Sequence, residues 1–432
     1  MTILSMKPSE KISRLLKDIP LPKVVRVHQK FENTHIEDIE KETRLAVSEL
    51  PEYAQITPGM SIAVTGGSRG IDRMAVVTKT VCSMLKEAGA VPFIVPAMGS
   101  HGGATAEGQI HILETIGITE ESMGVPIRSS METVRIGTLS NGSPLCIDKF
   151  AHDADGIVLI NRIKPHTSFK GKYESGLMKM MAIGLGKQEG AQSYHQCGFK
   201  NMSQIIAEAG SMVLGCEKIL FGVALTENSH SKINGVHAIA PSDIPNKEAE
   251  LLTFAYANLA LPFFRATDVM VVTEIGKNIS GTGHDPNVTG RFNNEHFHGE
   301  VSTGRLALLR LTDVSGGNAN GIGMADFITE TLFESIDPEQ TYPNALTSTA
   351  SPAVKIPMVL QNDREAICAA VKTSCIPDFT KVRLAILKNT KELETVYVSE
   401  NMLNEAISAG ADIENTPLDI SFDGDGNLTL EF

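Results

Sequence analysis

Two histidines of this chain stand where an imidazole can do proton chemistry. His101 lies between glycines in Gly99-Ser100-His101-Gly102-Gly103, and His166 lies in Lys164-Pro165-His166-Thr167. Each follows a short apolar run, and neither sits on an apolar helical face, so a place in the core explains them poorly. An exposed loop imidazole can take or give a proton near neutral pH. Two bases on opposite faces of one carbon are what a two-base racemisation or epimerisation requires: one takes a proton while the other supplies it. Lys179, in Ser175-Gly176-Leu177-Met178-Lys179, and His195, sixteen residues on, make a second pair. Taken singly, each is ordinary solvated surface. Gly184, Gly186 and Gly190 interrupt any single helix between them, so the two can return to a common pocket.

A third feature is the loop Gly66-Gly67-Ser68-Arg69-Gly70. Its opening, Val64-Thr65-Gly66-Gly67, looks like the dinucleotide turn of a short-chain dehydrogenase. Asp72 at the third glycine position and the absence of any Tyr-x-x-x-Lys count against that. The same loop fits G-x-S-x-G, a hydrolase nucleophile elbow with Ser68 as nucleophile. A triad would then need a later acid and base, for which Asp285 with His296 or His298 are candidates. In a further reading, the Gly67 and Ser68 backbone N–H groups and the Ser68 hydroxyl cradle a phosphate, and Arg69 offers a fork to a carboxylate or phosphate. The bland alternative is a tight turn carrying a surface arginine.

The elements that must position these residues alternate between strand and helix. Ser61 to Val64 reads as a strand before the first glycine loop; Met74, Val77, Val81, Met84 and Ala88 then mark a helix that stops at Gly89. Val91–Val95 is a strand running into the His101 loop, and Thr105 can cap the helix after it. Gly156 to Ile160, a helix over 203–213 and Ile219 to Ala224 continue the pattern. Continuous apolar strands in βα units predict a parallel sheet covered on both faces, with ligands at the strands' carboxyl ends. A helix over 248–261 ends before Pro262 and the strand Asp268 to Thr273. The expectation is therefore an α/β protein of two domains, 1–262 carrying the site residues and a smaller 263–432, with the active site in the cleft. The second part predicts strands at 306–311, 382–387 and 395–398, helices at 323–334 and 363–373, and a turn at Asp423–Asn427. That turn imitates a calcium loop but lacks its glycine and its last ligand.

Composition narrows the classes. A length of 432 residues suggests two or three domains at roughly 150 residues each. The net charge of −13 argues against a nucleic-acid or anionic-membrane partner. Yet residues 161–200 hold seven basic residues against Glu174 and Glu189, which suggests a site for a small anion. No apolar run approaches the roughly 18 residues of a membrane span, and the first residues are charged too early for a signal-peptide core. Six scattered cysteines without C-x-x-C point to a reducing cytoplasm.

The ordered set Gly67-Ser68-Arg69, Gly99-Ser100-His101-Gly102, Pro165-His166, Gly176-x-x-Lys179 and His195 resembles the nickel-dependent lactate racemase family. The resemblance covers roughly residues 20–260 and continues more weakly beyond. It implies that Lys179 forms a thioamide to a nickel-pincer nucleotide, a pyridinium mononucleotide holding nickel through sulfur and carbon. His195 would be the protein's nickel ligand, and imidazole suits nickel. His101 and His166 would be the acid/base pair, and Arg69 would grip a substrate carboxylate. Hydride would leave the 2-hydroxy carbon for the cofactor and return to the opposite face of the 2-keto acid. Proteins that build the cofactor become possible partners, alongside a small anionic substrate.

Departures from the family pattern bear on the substrate. Gly66-Gly67 precede Ser68-Arg69 where the family has an aspartate before its Thr-Arg pair, and Phe169 to Glu174 lengthen the stretch between His166 and Lys179. Asp285-Pro286-Asn287 resembles the family's Asp-x-Asn, but Val288-Thr289-Gly290-Arg291 replaces the Tyr-Gln and lysine that follow. Arg291 would substitute as a phosphate or carboxylate contact, although Arg and Lys are not equivalent there. The sequence is thus read as a homologue acting on a 2-hydroxy acid, with a dicarboxylate or sugar acid suggested by the basic stretch. Its rivals are a cofactor-free relative that binds an anionic metabolite or hydrolyses through Ser68, and a non-enzymatic binding protein.

Overall fold

The computed structural model describes residues 10–67 and 70–432. The chain divides into two compact units, Glu32–Leu259 and Ala260–Phe432 joined by the segment that ends at Phe31. Among the described residues, no helix is long and apolar enough to cross a membrane.

The unit Glu32–Leu259 is built on a five-stranded sheet in the order Val91–Pro96, Ser61–Gly66, Gly156–Arg162, Ile219–Glu227, Ile233–Ile239. The first four run parallel and the last is antiparallel to its neighbour. Side chains alternate across a strand, so an all-apolar strand has two faces to bury. Ile62, Val64, Ile94, Val158, Ile160 and Phe221 pack with Val77, Val81 and Leu85 of the helix Met74–Glu87. Ala63, Val95, Ile157 and Leu159 point the other way and are equally buried. Thr65, a fully buried polar side chain in this layer, is satisfied: its Oγ1 accepts the Ile160 N–H at 2.9 Å. Thr105 caps the helix Ala106–Thr115 by accepting the Gly108 N–H at 3.0 Å.

Parallel pairing of three adjacent strands has one consequence that matters for chemistry. The loops that begin at residues 67, 97 and 163 leave the same edge of the sheet side by side, the edge at which α/β proteins bind ligands. After the third of these strands the chain makes a short helix Leu177–Lys179, a π-helical segment Met180–Gly184 and a helix Lys187–His195. The expected break at the glycines is thus a change of helical pitch and direction.

The other unit holds an eight-stranded mixed sheet. Its central strands Ala266–Ile275 and Ser302–Leu311 run parallel, and Leu384–Leu387 pairs with the first of them. Val24–His28, expected with the first domain, instead pairs antiparallel with Thr395–Ser399 in this sheet. Val25 and Val27 are buried in its core alongside Val396 and Val398, so five apolar-rich residues found their partners more than 360 positions away. The helix expected over 323–334 is also corrected. Phe327–Thr329 forms a buried strand beside Ser302–Leu311, flanked by a 3₁₀ turn at Ile322–Met324 and a short α-helix at Glu330–Glu334. Thr329 begins that helix by accepting the Leu332 N–H. The C-terminal run around Asp423–Asn427 is a turn: the Asp423 carboxylate accepts the Asp425 and Asn427 N–H groups, and Phe422 bridges Leu428.

Candidate functional site

Lys179 and His195 converge. The π-helical segment turns the chain after Lys179, and the helix Lys187–His195 returns it. π-Segments of this kind are frequent at functional sites. Burial chiefly pushes His195 below the ordinary imidazole range, and the neighbouring Lys179 charge pushes it further the same way. His195 Nδ1 lies 2.6 Å from the Ala191 carbonyl oxygen. A carbonyl only accepts, so Nδ1 carries the ring proton and Nε2 the lone pair. That is the tautomer a metal-ligating histidine requires, with its other nitrogen donating to a backbone carbonyl. Among the described residues, no group of three or more His, Cys, Asp or Glu side chains is placed to hold a metal ion.

His166 is drawn to the same place. Phe169 stacks on its ring at 4.2 Å between centroids, and the Lys179 ammonium lies 5.6 Å from the centroid of that same phenylalanine. His166 Nδ1 accepts the Ser168 N–H at 3.0 Å, so its neutral ring carries the proton on Nε2 and presents a donor. Glu174, 2% exposed, fixes the backbone of this histidine by accepting its N–H at 2.6 Å. The Glu174 carboxylate also takes the Gly171 N–H and the Tyr256 hydroxyl, to which Lys170 donates. Burial is the main influence on Glu174 and raises its pKa; the Lys170 charge and these donors pull the other way.

The His101 loop closes over the π-helical segment. The Gly99 N–H donates to the Gly184 carbonyl at 3.2 Å. Gly99 has φ +61°, and a Cβ there would stand 3.2 Å from Ile183 Cγ2 and 3.4 Å from the Ala191 Cβ. Ala191 is the residue whose carbonyl holds His195, so the second glycine loop touches the His195 helix one turn from that histidine. Gly67 lies over the same segment, where an added Cβ would meet Met180 Cε at 3.7 Å and Asn161 Oδ1 at 3.9 Å. Asn161 in turn donates to the Gly176 carbonyl at 2.9 Å and so holds the turn that leads to Lys179. Four segments that the sequence singled out therefore meet at one edge of one sheet.

Other expected residues fall elsewhere. Ser68 and Arg69 lie outside the described residues. Asp72 does not face a ligand. Burial would raise its carboxyl, but the Ile233 N–H, Arg73 and Lys232 outweigh this and hold it low. Arg291 belongs to the other unit, where its guanidinium donates to the Thr303 and Gly304 carbonyls and pairs with Asp326 at 2.7 Å. Its fork is thus engaged within its own unit. Of the hydrolase candidates, the Asp285 carboxylate accepts from Asn287 N and Nδ2, and His296 and His298 are exposed. The basic stretch is partly neutralised by acids outside it, since Arg162 pairs with Glu227 and Lys187 with Asp148.

Several contributors carried no mark in the sequence. Glu174, Asn161 and Phe169 are of this kind, as are Gln109, Asp148 and Lys187, which are all fully buried. Glu248, also without exposure, accepts the Met178 N–H at 2.9 Å and turns its other oxygen toward Gly176, on the turn that bears Lys179.

Residues 13–206 match the lactate racemase N-terminal domain. Among solved structures the chain is similar to the lactate racemase apoprotein from Thermoanaerobacterium thermosaccharolyticum, at 12% identity over 86% of this chain and 99% of that one, with a TM-score of 0.51. It is likewise similar to a Thermotoga maritima protein, at 14% identity over 75% of this chain and 84% of that one, also with a TM-score of 0.51. At these identities the likeness is one of fold. No curated protein matches it significantly.

Proposed function

We propose that the chain, whose residues 13–206 match the lactate racemase N-terminal domain, is a homologue in the lactate racemase family that racemises or epimerises a 2-hydroxy acid in the cytoplasm. The observation that supports this best is the convergence of Lys179 with a His195 whose proton is locked on Nδ1. Those two residues fit a nickel-pincer nucleotide attached at Lys179, with His195 Nε2 as the protein's ligand to nickel. When bound, that group supplies a hydride acceptor and donor for the 2-hydroxy carbon.

The chain's own residues do the rest. Burial keeps the His195 imidazole unprotonated, as a metal ligand must be. By the family resemblance, Arg69 would hold the substrate carboxylate, and Gly67 and Ser68 would offer N–H groups to the nucleotide phosphate. His101 and His166 handle the proton of the substrate hydroxyl, one on each face. His166 begins as a donor at Nε2 and must release the Ser168 N–H to accommodate a second proton on Nδ1.

Intact-mass spectrometry of the chain co-produced with cofactor-synthesis proteins tests the assignment. The expected result is an added mass on Lys179 and nickel near one per chain, both lost in Lys179→Ala. An unmodified Lys179 without stoichiometric nickel sinks the cofactor assignment. A loaded protein that leaves the chirality of every 2-hydroxy acid in a panel of mono- and dicarboxylates and sugar acids unchanged sinks the reaction.

A further inference from the structure

Lys187 is the most buried cation described in the chain, with a side-chain exposure of zero, and it adopts φ +53° at the start of the helix that ends in His195. A left-handed conformation strains any non-glycine residue, and such strain persists only where the surroundings enforce it. Here the surroundings are specific. The ammonium donates to the Pro96 carbonyl at 2.7 Å and Gln109 Oε1 at 2.9 Å, and stands 3.1 Å from Asp148 Oδ2 as an ion pair. Pro96 ends the strand that leads into the His101 loop, and Gln109 lies on the helix that leaves it. Asp148 stays fixed because its other oxygen accepts the Ala151 N–H at 2.9 Å.

Because an ammonium can only donate, Gln109 must turn its oxygen toward Lys187 and its amide nitrogen away. That nitrogen donates to the Gly99 carbonyl at 2.8 Å and reaches the His101 carbonyl at 3.3 Å. A chain of fixed polarity therefore runs from Asp148 through Lys187 and Gln109 to the backbone of His101. Its cation stands on the helix that carries His195. A buried ion pair seldom adds stability over a well-packed apolar pair of the same volume. What it adds is one allowed geometry.

We infer that Lys187, Gln109 and Asp148 are positioning residues, which set the His101 loop relative to the His195 helix through the orientation of the Gln109 amide. The role assigned to His101 rests on the reading above; the placement of its loop does not. Two variants of the full chain separate these. Gln109→Met removes the donors to Gly99 and His101, and Lys187→Met combined with Asp148→Asn removes both charges while leaving an oxygen to cap Ala151. Hydrogen exchange over residues 97–105 is expected to quicken at least tenfold in both, at the Gly99 and His101 amides above all. Exchange over 177–184 and the melting temperature should stay near those of the parent. In loaded, active enzyme, kcat should fall about tenfold with KM little changed. Exchange over 97–105 that is unchanged, or raised no more than elsewhere as the whole chain loosens, overturns the inference. An inactive parent with selectively quickened exchange overturns the reading of the reaction and leaves the positioning intact.

Discussion

Glu174 shows what one residue does for a site that its own type does not announce. It lies in the lengthened stretch between His166 and Lys179, which the sequence presents only as a departure from a familiar spacing. In the structure this stretch supplies both the ring that stacks on His166 and the carboxylate that holds its backbone. Glu174→Gln keeps the shape but turns an acceptor-only group into one that presents an N–H₂ to the His166 or Gly171 N–H. A buried donor facing a donor costs about 1–3 kcal/mol. Urea unfolding should show a loss of that order, and kcat should fall with it. Stability and kcat equal to the parent would mean that His166 is held by something else. His101, His166 and the glycines were legible from their post-strand loops, whereas Lys179 and His195 stood out only through the ordered set of motifs that resembles a known family. Glu174, Gln109 and Lys187 were not legible, because a Glu, Gln or Lys in sequence is ordinarily solvated and only the fold reveals that it is enclosed.

At the scale of elements, the strand–loop–helix alternation of the first unit was legible from apolar runs ending in glycine, since a buried parallel strand has no polar face to confuse the pattern. Two failures have physical causes. Val24–His28 carries no sign of a partner beyond residue 390, because strand pairing over such a distance leaves no local trace. Phe327–Thr329 reads as part of a helix because three residues are too few to display a period of two. The loop that joins strand to chemistry depends on close approach at Gly99. Gly99→Ala puts a Cβ on a left-handed residue and within 3.3 Å of the Ile183 carbonyl oxygen. A cost of about 1–2 kcal/mol is expected from the backbone alone, with the loop displaced from the π-helical segment. Chemical denaturation measures the first, and accelerated exchange of the Gly99 amide, which donates to Gly184, measures the second. Gly102, also left-handed, is the harsher case. A Cβ there would stand 2.5 Å from the Gly108 backbone, so Gly102→Ala should cost more than Gly99→Ala in the same denaturation measurement.

The whole molecule places one buried acid in one unit and one buried base in the other, and their effects on stability have opposite signs. Burial pushes the Glu248 carboxyl from its usual 4.5 up to about 7, the backbone N–H groups of Met178 and Leu177 pulling less strongly the other way. Between those values the folded chain keeps a proton that the unfolded chain has lost, so stability falls as pH rises, by about 3 kcal/mol in all. His284, with no exposure, is pushed by burial from 6.5 down to about 4. It is held neutral between the Gly321 carbonyl and the Thr289 hydroxyl. Here the unfolded chain takes up a proton that the folded chain refuses, so stability falls as pH drops from 6.5 to 4, again by about 3 kcal/mol. Over the shared window from 4.5 to 6.5 the two slopes oppose each other, and variants are needed to see either. Relative to the parent, Glu248→Gln should gain about 3 kcal/mol as pH rises from 4.5 to 7, whereas His284→Gln should gain a similar amount as pH falls from 6.5 to 4. Differences from the parent cancel the surface carboxylates, which titrate alike in all three proteins. Denaturant unfolding at half-unit steps from about pH 4 to 8 reads both, and a difference that stays flat with pH for either variant removes that group from the account. Because Glu248 grips the turn below Lys179, its ionisation is also where the pH dependence of the molecule's stability and the geometry of its lysine meet.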